Sequence, residues 1–313
     1  MFAPVLKPST ENIARAADCL RQGGLVAMPT ETVYGLAADA SNGEAVARLY
    51  EAKGRPRFNP LIAHVASLDM AAGEARFSPL AMRLAEHFWP GPLTLVLPVA
   101  NTGRTCDLAR AGLETIGLRR PDHAAAQALL DAFGGPLVAP SANRSGHVSP
   151  TTAAHVRADL GGRIDVILDG GPCARGIEST IVSLIDETPR LLRSGALPTD
   201  EIEAVLGLPL ARRAPGADIN APGQLKSHYA PRAHLRLNAA TAMSGEGFLG
   251  FGSHCPDADN LSPTGDLVEA AANLFAMLRA LDARYERIAV APIPQTGLGE
   301  AINDRLARAA HRD

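Results

Sequence analysis

Short apolar runs alternate with amphipathic segments along most of this chain, and that alternation constrains its fold more than any other feature. Residues 25–28 form an apolar run that opens directly into the polar loop 29–32, and helical periodicity resumes at 44–52. Alternating strands and helices predict an α/β fold, and because several predicted strands follow one another closely, the sheet should be mixed. The predicted helices are 9–22, 44–52, 79–88, 123–133 and 152–160, and the predicted strands are 25–28, 61–65, 93–97, 115–118, 164–168, 179–185 and 190–193, with another ending at Pro140.

The alternation lapses between residues 208 and 233, where Pro, Gly and basic residues predominate. Such a segment is too long for an ordinary tight connection, and long segments of this kind are often functional. The pattern then resumes with strands at 235–237, 247–251 and 287–291 and helices at 266–284 and 299–310. A length of 313 residues also fits two domains better than one. We therefore expect an α/β domain over 1–207, a connector over 208–233 and a small second α/β domain over 234–313.

Composition argues against some classes of nucleic-acid binder. Aromatic residues make up 4% of the chain, which is too few for a single-strand binder built on stacked bases. The 30 Lys and Arg residues are outnumbered by 33 Asp and Glu residues, so the chain has no overall basic excess for DNA. The connector is locally basic, because Arg212, Arg213, Lys226 and Arg232 are opposed only by Asp218. It could face an anion or be a solvated linker, and charge alone favours the linker.

Cysteine spacing and hydropathy indicate the compartment. Cys19, Cys106, Cys173 and Cys255 lie far apart and form no C-x-x-C motif, which is typical of reduced thiols. The chain has no apolar run of about 18 residues and no signal-peptide pattern at its start. We therefore expect a cytoplasmic protein that does not enter a membrane.

Standard nucleotide-binding signatures are absent, since the sequence has no P-loop motif and no G-x-G-x-x-G turn between a strand and a helix. A phosphate site would then be built from side chains and loop amides. The best candidate is the run 53–61, in which Lys53, Arg55 and Arg57 occupy alternate positions. Alternate side chains of an extended backbone project to one side, so these cations could converge on one polyanion. The alternative is a helix C-terminus whose cations complement the helix dipole.

Other small polar residues follow predicted strands. Residues 138–146 and 178–182 place hydroxyl, amide and backbone N–H groups at strand ends, although each alone could be a structural turn. Together with 53–61 they supply what a cleft beyond the strand ends of an α/β sheet requires. A lone histidine at the position of His64 is more often a core residue. Arg119 could bind a carboxylate or only cap a strand, and the run 193–196 has the same ambiguity.

In their order and spacing these motifs resemble those of threonylcarbamoyl-AMP synthases of the YrdC type. The family's K-x-R…S-x-N signature is matched by Lys53, Arg55, Ser141 and Asn143. The other matching segments are Pro29-Thr30-Glu31-Thr32-Val33-Tyr34-Gly35-Leu36, Ser179-Thr180-Ile181 and Arg193-Ser194-Gly195, and the connector segment Pro222-Gly223…His228-Tyr229-Ala230-Pro231 resembles that of the long, two-domain form. The resemblance covers about residues 9–233 and extends over 234–313 by architecture alone.

The resemblance implies a twisted mixed-sheet catalytic domain with a positive cleft, followed by a small Rossmann-like α/β domain. It implies that L-threonine, bicarbonate or carbon dioxide, and ATP give threonylcarbamoyl-AMP and pyrophosphate. The product would feed N6-threonylcarbamoyladenosine modification of tRNA, completed by downstream transfer proteins, and direct contact with tRNA is an open expectation. Because the sequence offers no acidic cluster for a metal, Mg²⁺ should bind mainly through the phosphates of ATP.

By matched position, the resemblance also implies roles for single residues. Lys53 and Arg55 are the expected catalytic residues, which hold the phosphates. The residues expected around ATP are Arg55, Asn59, Thr115, Ser141, Asn143, Ser149 and Arg193, with Tyr229 over the nucleotide as part of a lid. The residues expected around threonine are Thr32, His64, Arg119, the backbone of Ala139, Ser179 and Thr180. No residue is expected to be a dedicated metal ligand.

Two alternatives stay open at this point. A double-stranded RNA or tRNA-binding module of the same fold could use the same cleft, although the net negative charge of residues 1–207 argues against it. A related domain with a different carbamoyl or acyl acceptor would share the phosphate-binding residues.

Overall fold

A computed structural model describes residues 2–212, 228–255 and 259–311. The strands before the connector are β1 (Val5–Leu6), β2 (Val26–Met28), β3 (Gly35–Asp39), β4 (Ile62–His64), β5 (Leu93–Pro98), β6 (Thr115–Arg119), β7 (Leu137–Val138), β8 (Val166–Leu168), β9 (Thr180–Ser183), β10 (Arg190–Arg193) and β11 (Ala211–Arg212). The helices among them are α1 (Thr10–Arg21), α2 (Gly43–Lys53), α3 (Leu68–Glu74), α4 (Pro79–Phe88), α5 (Asp107–Arg110), α6 (Ala124–Phe133), α7 (Ala153–Leu160) and α8 (Thr199–Leu206). After the connector come β12 (His234–Arg236), β13 (Gly247–Gly250), β14 (Asp259–Asn260), α9 (Leu267–Asp282), β15 (Arg287–Val290) and α10 (Leu298–Ala310).

The larger sheet contains eleven strands within the described residues, in the order β1-β8-β2-β3-β7-β4-β6-β5-β9-β10-β11. Parallel and antiparallel pairs are mixed, since β4 runs parallel to β6 on one side and antiparallel to β7 on the other. The predicted mixed α/β sheet is therefore confirmed. In the parallel pair, His64 lies in register with Arg119, so both residues reach the same end of the strands.

Antiparallel pairing brings two more segments to that end. β5 is antiparallel to β6 and parallel to β9, so the first residues of β9 lie near the last residues of β6. β10 is antiparallel to β9, with Arg193 opposite Ile181. His64, Arg119, Ser179 and Arg193 are consequently collected at one end of the sheet.

The end of α2 places the first residue of the K-x-R run. Asn42 caps the helix by accepting hydrogen bonds from the backbone N–H groups of Glu44 and Ala45, and Gly54 ends it in the left-handed region with φ of 60°. Glycine adopts this conformation at little cost because it has no Cβ. Lys53 is therefore the last helical residue, and the chain turns immediately after it.

The second sheet has four strands within the described residues, all parallel, in the order β12-β15-β13-β14. Leu249, Phe275 and Ile288 belong to its hydrophobic core, which also includes Val33 and Ile177 from the first part of the chain. A second, parallel α/β unit is confirmed, and it shares apolar packing with the larger one. The division at 207 and 234 stays a prediction.

Some elements have no counterpart in the predicted pattern. The strand β3 follows the polar loop directly, and α3, α5, α8 and the two-residue strands β1, β11 and β14 are additional. Several of them are too short for a hydrophobic period to show. Residues 213–227 of the connector, including Arg213, Asp218, Lys226 and Pro222-Gly223, lie outside the described residues. No described helix is long and apolar enough to cross a membrane.

Candidate active site

The strand ends and the neighbouring loops enclose a cavity of ≈ 50 Å³. Sites for small ligands are usually about 300–1,000 Å³, so the described cavity is smaller than a nucleotide site usually is. Its lining residues are Val33, Arg55, Ile62, His64, Arg119, Ala139, Pro140, Ser141, Glu178, Ser179, Arg193, His228 and Tyr229. His228 and Tyr229 come from the end of the connector and form one wall of the cavity.

Three arginines from separate elements lie on the cavity. Arg55 follows α2, Arg119 ends β6 and Arg193 ends β10. All three are buried, and Glu178 is the one carboxylate among the described lining residues. A buried surface with this excess of positive charge is suited to a polyanion.

Arg119 and His64 form one side of the cavity. Arg119 Nη2 donates to Glu31 Oε1 at 2.6 Å, and its Nε donates to the carbonyl of Gly91 at 3.3 Å. Burial, followed by the charge of Arg119, lowers the pKa of His64 to about 3. His64 is therefore a neutral imidazole at physiological pH, with one ring nitrogen able to accept a hydrogen bond.

Arg55 is buried, whereas Arg57 is exposed. Arg55 Nη2 donates to the carbonyl of Pro60 at 3.0 Å and its Nε to that of Asn59 at 3.3 Å. Burial lowers the pKa of Arg55 to about 10, which leaves its guanidinium charged at neutral pH. The expected convergence of three alternate cations is wrong for Arg57, because the left-handed Gly54 and the turn after it replace the extended backbone that the expectation required.

Lys53 is buried and does not line the cavity. Its Nζ donates to the backbone carbonyls of Ser141 and Asn143, and the N–H of Ser145 donates to the carbonyl of Lys53 at 2.9 Å. Burial, with the charge of Arg55 as the second cause, holds the pKa of its ammonium well below the ordinary value. Lys53 thus ties the end of α2 to the loop that carries Ser141 and Asn143.

Ser179 and Arg193 meet at the start of β9. Arg193 Nη2 donates to the carbonyl of Ser179 at 2.8 Å and to its Oγ at 3.2 Å, and this Oγ lies 2.8 Å from Thr94 Oγ1. The next residue, Thr180, is used internally, since its Oγ1 donates to the carbonyl of Leu197 at 2.6 Å. Ser179 is therefore presented to the cavity while Thr180 secures the loop behind it.

Tyr229 closes the cavity from the side of the second sheet. Its backbone lies in the left-handed region with φ of 62°, which is unusual for a large side chain. The ring stacks on Phe275 of α9 with 5.6 Å between centroids. That Tyr229 lies over the nucleotide stays a prediction.

The predicted site residues fall into two groups. Those that line the cavity are Arg55, His64, Arg119, Ala139, Ser141, Ser179, Arg193 and Tyr229. Those that do not are Thr32, Lys53, Asn59, Thr115, Asn143, Ser149 and Thr180. Thr115 lines a separate space beside Ile62 and Ile181. Asn59 and Asn143 each have a buried Oδ1 with no hydrogen-bond partner among the described residues, so each keeps an acceptor that a substrate donor could satisfy.

Comparison with known proteins identifies the family. Residues 18–195 match the family model Sua5_yciO_yrdC, described as telomere recombination, and residues 197–311 match that of the threonylcarbamoyl-AMP synthase C-terminal domain. The chain belongs to the threonylcarbamoyl-AMP synthase family. The synthase of Pyrococcus abyssi is 42% identical over 94% of this chain and 93% of its own, and that of Bacillus subtilis is 41% identical over 97% and 94%. The crystal structure of P. abyssi Sua5 complexed with L-threonine matches with a TM-score of 0.91 at 38% identity, covering 98% of each chain.

One lining residue, Glu178, lies directly before the family motif Ser179-Thr180-Ile181 and has no role predicted from the sequence. Its Oε1 accepts a hydrogen bond from Ser149 Oγ at 2.5 Å, and its Oε2 accepts one from Arg305 Nε at 2.8 Å. Its position directly before Ser179-Thr180 was the only local signal. The partner that explains it is 127 residues away in the chain, so no short-range pattern could connect the two.

Proposed function

We propose that this protein synthesises threonylcarbamoyl-AMP from L-threonine, bicarbonate or carbon dioxide, and ATP, with release of pyrophosphate. The observation that carries the proposal is the convergence of Arg55, Arg119 and Arg193 on one buried cavity. One guanidinium can bind the carboxylate of an amino acid, and the other two can bind the phosphates of a nucleotide. Curated family members that match almost the whole chain support the same reaction.

The proposed threonine site lies at the ends of β4 and β6. Arg119 offers a guanidinium to the substrate carboxylate, while neutral His64 and the hydroxyl of Ser179 offer hydrogen bonds to its other polar groups. The threonine-bound crystal structure of P. abyssi Sua5 supports this choice of amino acid.

The proposed chemistry forms two bonds. Bicarbonate gives carbon dioxide by losing hydroxide. The neutral amine of threonine attacks the carbon of carbon dioxide, its proton passes to that hydroxide or to water, and a carbamate results. A carbamate oxygen then attacks the α-phosphorus of ATP, the bond from that phosphorus to the bridging oxygen breaks, and pyrophosphate leaves with the electron pair. This makes the protein a nucleotidyltransferase.

The described residues contribute position and charge to these steps. Carbamates are short-lived, so a buried cavity that holds the carbamate against the nucleotide is the main requirement. Arg55 and Arg193 can stabilise the negative charge that shifts to pyrophosphate. Lys53 supports the Ser141 loop from behind through two carbonyl contacts, and this keeps the phosphate side of the cavity in place.

We propose that Mg²⁺ enters with ATP and is bound mainly by phosphate oxygens, where it would neutralise charge. Sites that hold Mg²⁺ directly usually supply carboxylate oxygens. Among the described lining residues Glu178 is the one carboxylate, and both its oxygens already accept hydrogen bonds from Ser149 and Arg305. The cavity wall therefore does not fit a protein-bound magnesium site.

The product is a mixed anhydride and hence an activated carbamoyl donor. Family membership supports its use in N6-threonylcarbamoyladenosine modification of tRNA. We propose that partner proteins complete that transfer in the cytoplasm.

Pyrophosphate release tests the proposed function. The full-length protein should release pyrophosphate with threonine, bicarbonate and ATP together, and omission of any one should return the rate to background. Replacing threonine by serine or by valine in the same assay tests whether the enzyme is specific for threonine as the amino acid that is carboxylated. Pyrophosphate release that does not depend on threonine, or that is equally fast with another amino acid, contradicts the proposal. Binding of tRNA that depends steeply on salt concentration, without ATP turnover, would favour an RNA-binding module.

A further inference from the structure

The second α/β unit reaches the cavity of the first through one fully buried arginine. Arg305, on α10, donates from Nε to Glu178 Oε2 at 2.8 Å and from Nη1 to Asp304 at 2.8 Å. Its guanidinium carbon lies 5.1 Å from the centroid of the Tyr229 ring. Nη2 has no hydrogen-bond partner within the described part of the chain. One side chain from the end of the protein thus contacts two residues of the cavity wall, Glu178 and Tyr229.

Glu178 requires such a partner. It is a buried carboxylate on a cavity that, by the proposed function, holds a triphosphate. A buried carboxylate without a counter-charge would either repel the phosphates or take up a proton. Burial by itself would raise the pKa of Glu178, but Arg305, followed by Arg193 and Ser149, holds that pKa below its ordinary value. Arg305 is therefore the main group that keeps this carboxylate ionised.

An ionised Glu178 determines how Ser149 is presented. A carboxylate can only accept, so Ser149 Oγ gives its hydrogen to Glu178 Oε1 at 2.5 Å. The lone pairs of Ser149 Oγ remain for a donor on the ligand. In ATP the ribose hydroxyls and the adenine amine carry such hydrogens, whereas the phosphate oxygens do not. Ser149 is thereby suited to the nucleoside part of ATP.

Helix α9 fixes the loops that carry these two residues. Arg279 donates to the backbone carbonyls of Val148 and Ser149 and pairs with Asp159 at 2.6 Å. Gly176 approaches α9 so closely that a Cβ there would lie 2.4 Å from the carbonyl oxygen of Ala271. The segments that carry Ser149 and Glu178 are therefore both held in place by α9.

We propose that Arg305 is a positioning residue for ATP: by neutralising and orienting Glu178, it shapes the subsite for the nucleoside, so that the second unit completes the active site. This inference rests on the proposed function, because it assigns a subsite in the same cavity.

Direct ATP binding to the full-length protein, with kinetics for ATP and threonine, tests the inference. Arg305→Met should weaken ATP binding by about 10- to 100-fold, because it leaves the Glu178 carboxylate without a counter-charge beside the phosphates, and like charges brought together on binding cost affinity. The KM for threonine should change by less than about 3-fold, because the threonine carboxylate is assigned to Arg119, which belongs to β6 and not to the Arg305–Glu178 pair. Arg305→Lys keeps the charge and should retain most of the affinity. Arg284→Met, which removes an exposed pair with Asp259, is the matched control and should leave ATP binding unchanged.

A second variant separates charge compensation from mere support of the fold. Glu178→Gln combined with Arg305→Met removes both charges and keeps an acceptor for Ser149, so it should recover most of the ATP affinity. This double variant also decides the matter if Arg305→Met does not fold. ATP affinity in Arg305→Met equal to that of the parent, or a double variant that binds ATP as weakly as Arg305→Met, overturns the inference.

The pH dependence of ATP binding is a further readout. The charged or titratable groups near Glu178 are Arg193, Arg305, His228 and Tyr229. Burial lowers the pKa of His228 to about 3 and raises that of Tyr229, so neither titrates near neutrality. In Arg305→Met the pKa of Glu178 should rise, and ATP binding should become tighter as the pH is lowered. If the parent protein makes no threonylcarbamoyl-AMP, the proposed function fails; if it does and Arg305→Met binds ATP normally at every pH, only the role of Arg305 fails.

Discussion

Arg119 and Glu31 form a buried ion pair in which Nη2 and Oε1 are 2.6 Å apart. The pair links the end of β6 to the polar loop after β2, and the guanidinium also lines the cavity. Glu31 Oε2 is buried with no hydrogen-bond partner among the described residues. The Arg119 guanidinium, which Glu31 already orients, would therefore bind the substrate carboxylate and the Glu31 carboxylate at the same time. Since a guanidinium has five N–H donors, it can serve both.

Arg119→Gln should raise the KM for threonine by about 10- to 100-fold, because a charged contact to the substrate carboxylate is lost. It should also lower the melting temperature, because Glu31 is left buried without a counter-charge. Adding Glu31→Gln should restore the melting temperature but not the KM. Recovery of the threonine KM in the double variant would show that Arg119 only supports the fold.

Lys53→Ala should lower turnover by up to about 10²- to 10³-fold, the cost of losing one donor that stabilises the developing charge directly. The reason is that the Ser141 and Asn143 carbonyls lose their shared ammonium. Arg57→Ala removes an exposed cation from the turn that follows Lys53 and is the matched control. Both rates are measured by pyrophosphate release. Full turnover by Lys53→Ala would remove Lys53 from its assigned role.

Tyr229→Ala should weaken ATP retention by about 10-fold, because a buried aromatic side chain contributes a large contact area to the closed site. Tyr229→Phe keeps the ring that stacks on Phe275 and should bind ATP nearly as the parent does. Deletion of residues 222–231 should also weaken retention. Unchanged ATP affinity and rate in Tyr229→Ala would refute a lid.

Gly195→Ala should reduce activity without abolishing folding. A Cβ at this position would lie 2.4 Å from the carbonyl oxygen of Glu178 and 2.5 Å from that of Ser179, so the loop before β9 must shift. Gly43→Ala has no atom within 4 Å of the new Cβ and serves as the control. Kinetic constants and melting temperatures of both variants are compared with those of the parent. Equal activity in the two variants would mean that the loop tolerates the shift.

Two buried histidines should make the protein less stable in acid. Burial lowers the pKa of His64 and of His228 to about 3, whereas a histidine in the unfolded chain titrates near about 6.5. Between these values the unfolded state binds protons that the folded state does not, so the free energy of unfolding falls as the pH falls. Each histidine can contribute up to about 1.4 kcal/mol per pH unit, and nothing above about pH 7.

Denaturant unfolding across that range measures the slope. His64→Gln should flatten it, and His87→Gln, which replaces an exposed histidine on α4, should not. An unchanged slope in His64→Gln would contradict the assignment.

Local sequence was enough for the elements with a clear period. The helix predicted at 79–88 and the strand predicted at 190–193 have the predicted bounds, and the predicted helix 9–22 differs from α1 by one residue at each end. The ordered motifs identified the family for the same reason, since each occupies a short stretch of chain. The strand β3 was missed, because its small residues carry no alternation of apolar and polar side chains.

What the sequence by itself determined was therefore the α/β class, the second α/β unit and the motifs that approach the strand ends. Only the tertiary structure decided that Arg55 faces the cavity while Arg57 faces solvent, that Lys53 lies behind the wall, and that Glu178 is paired with Arg305. The physical reason is the sequence separation over which each kind of interaction acts. Periodicity, caps and turns act between near neighbours in the chain, whereas strand order and domain packing bring together residues that no local interaction connects.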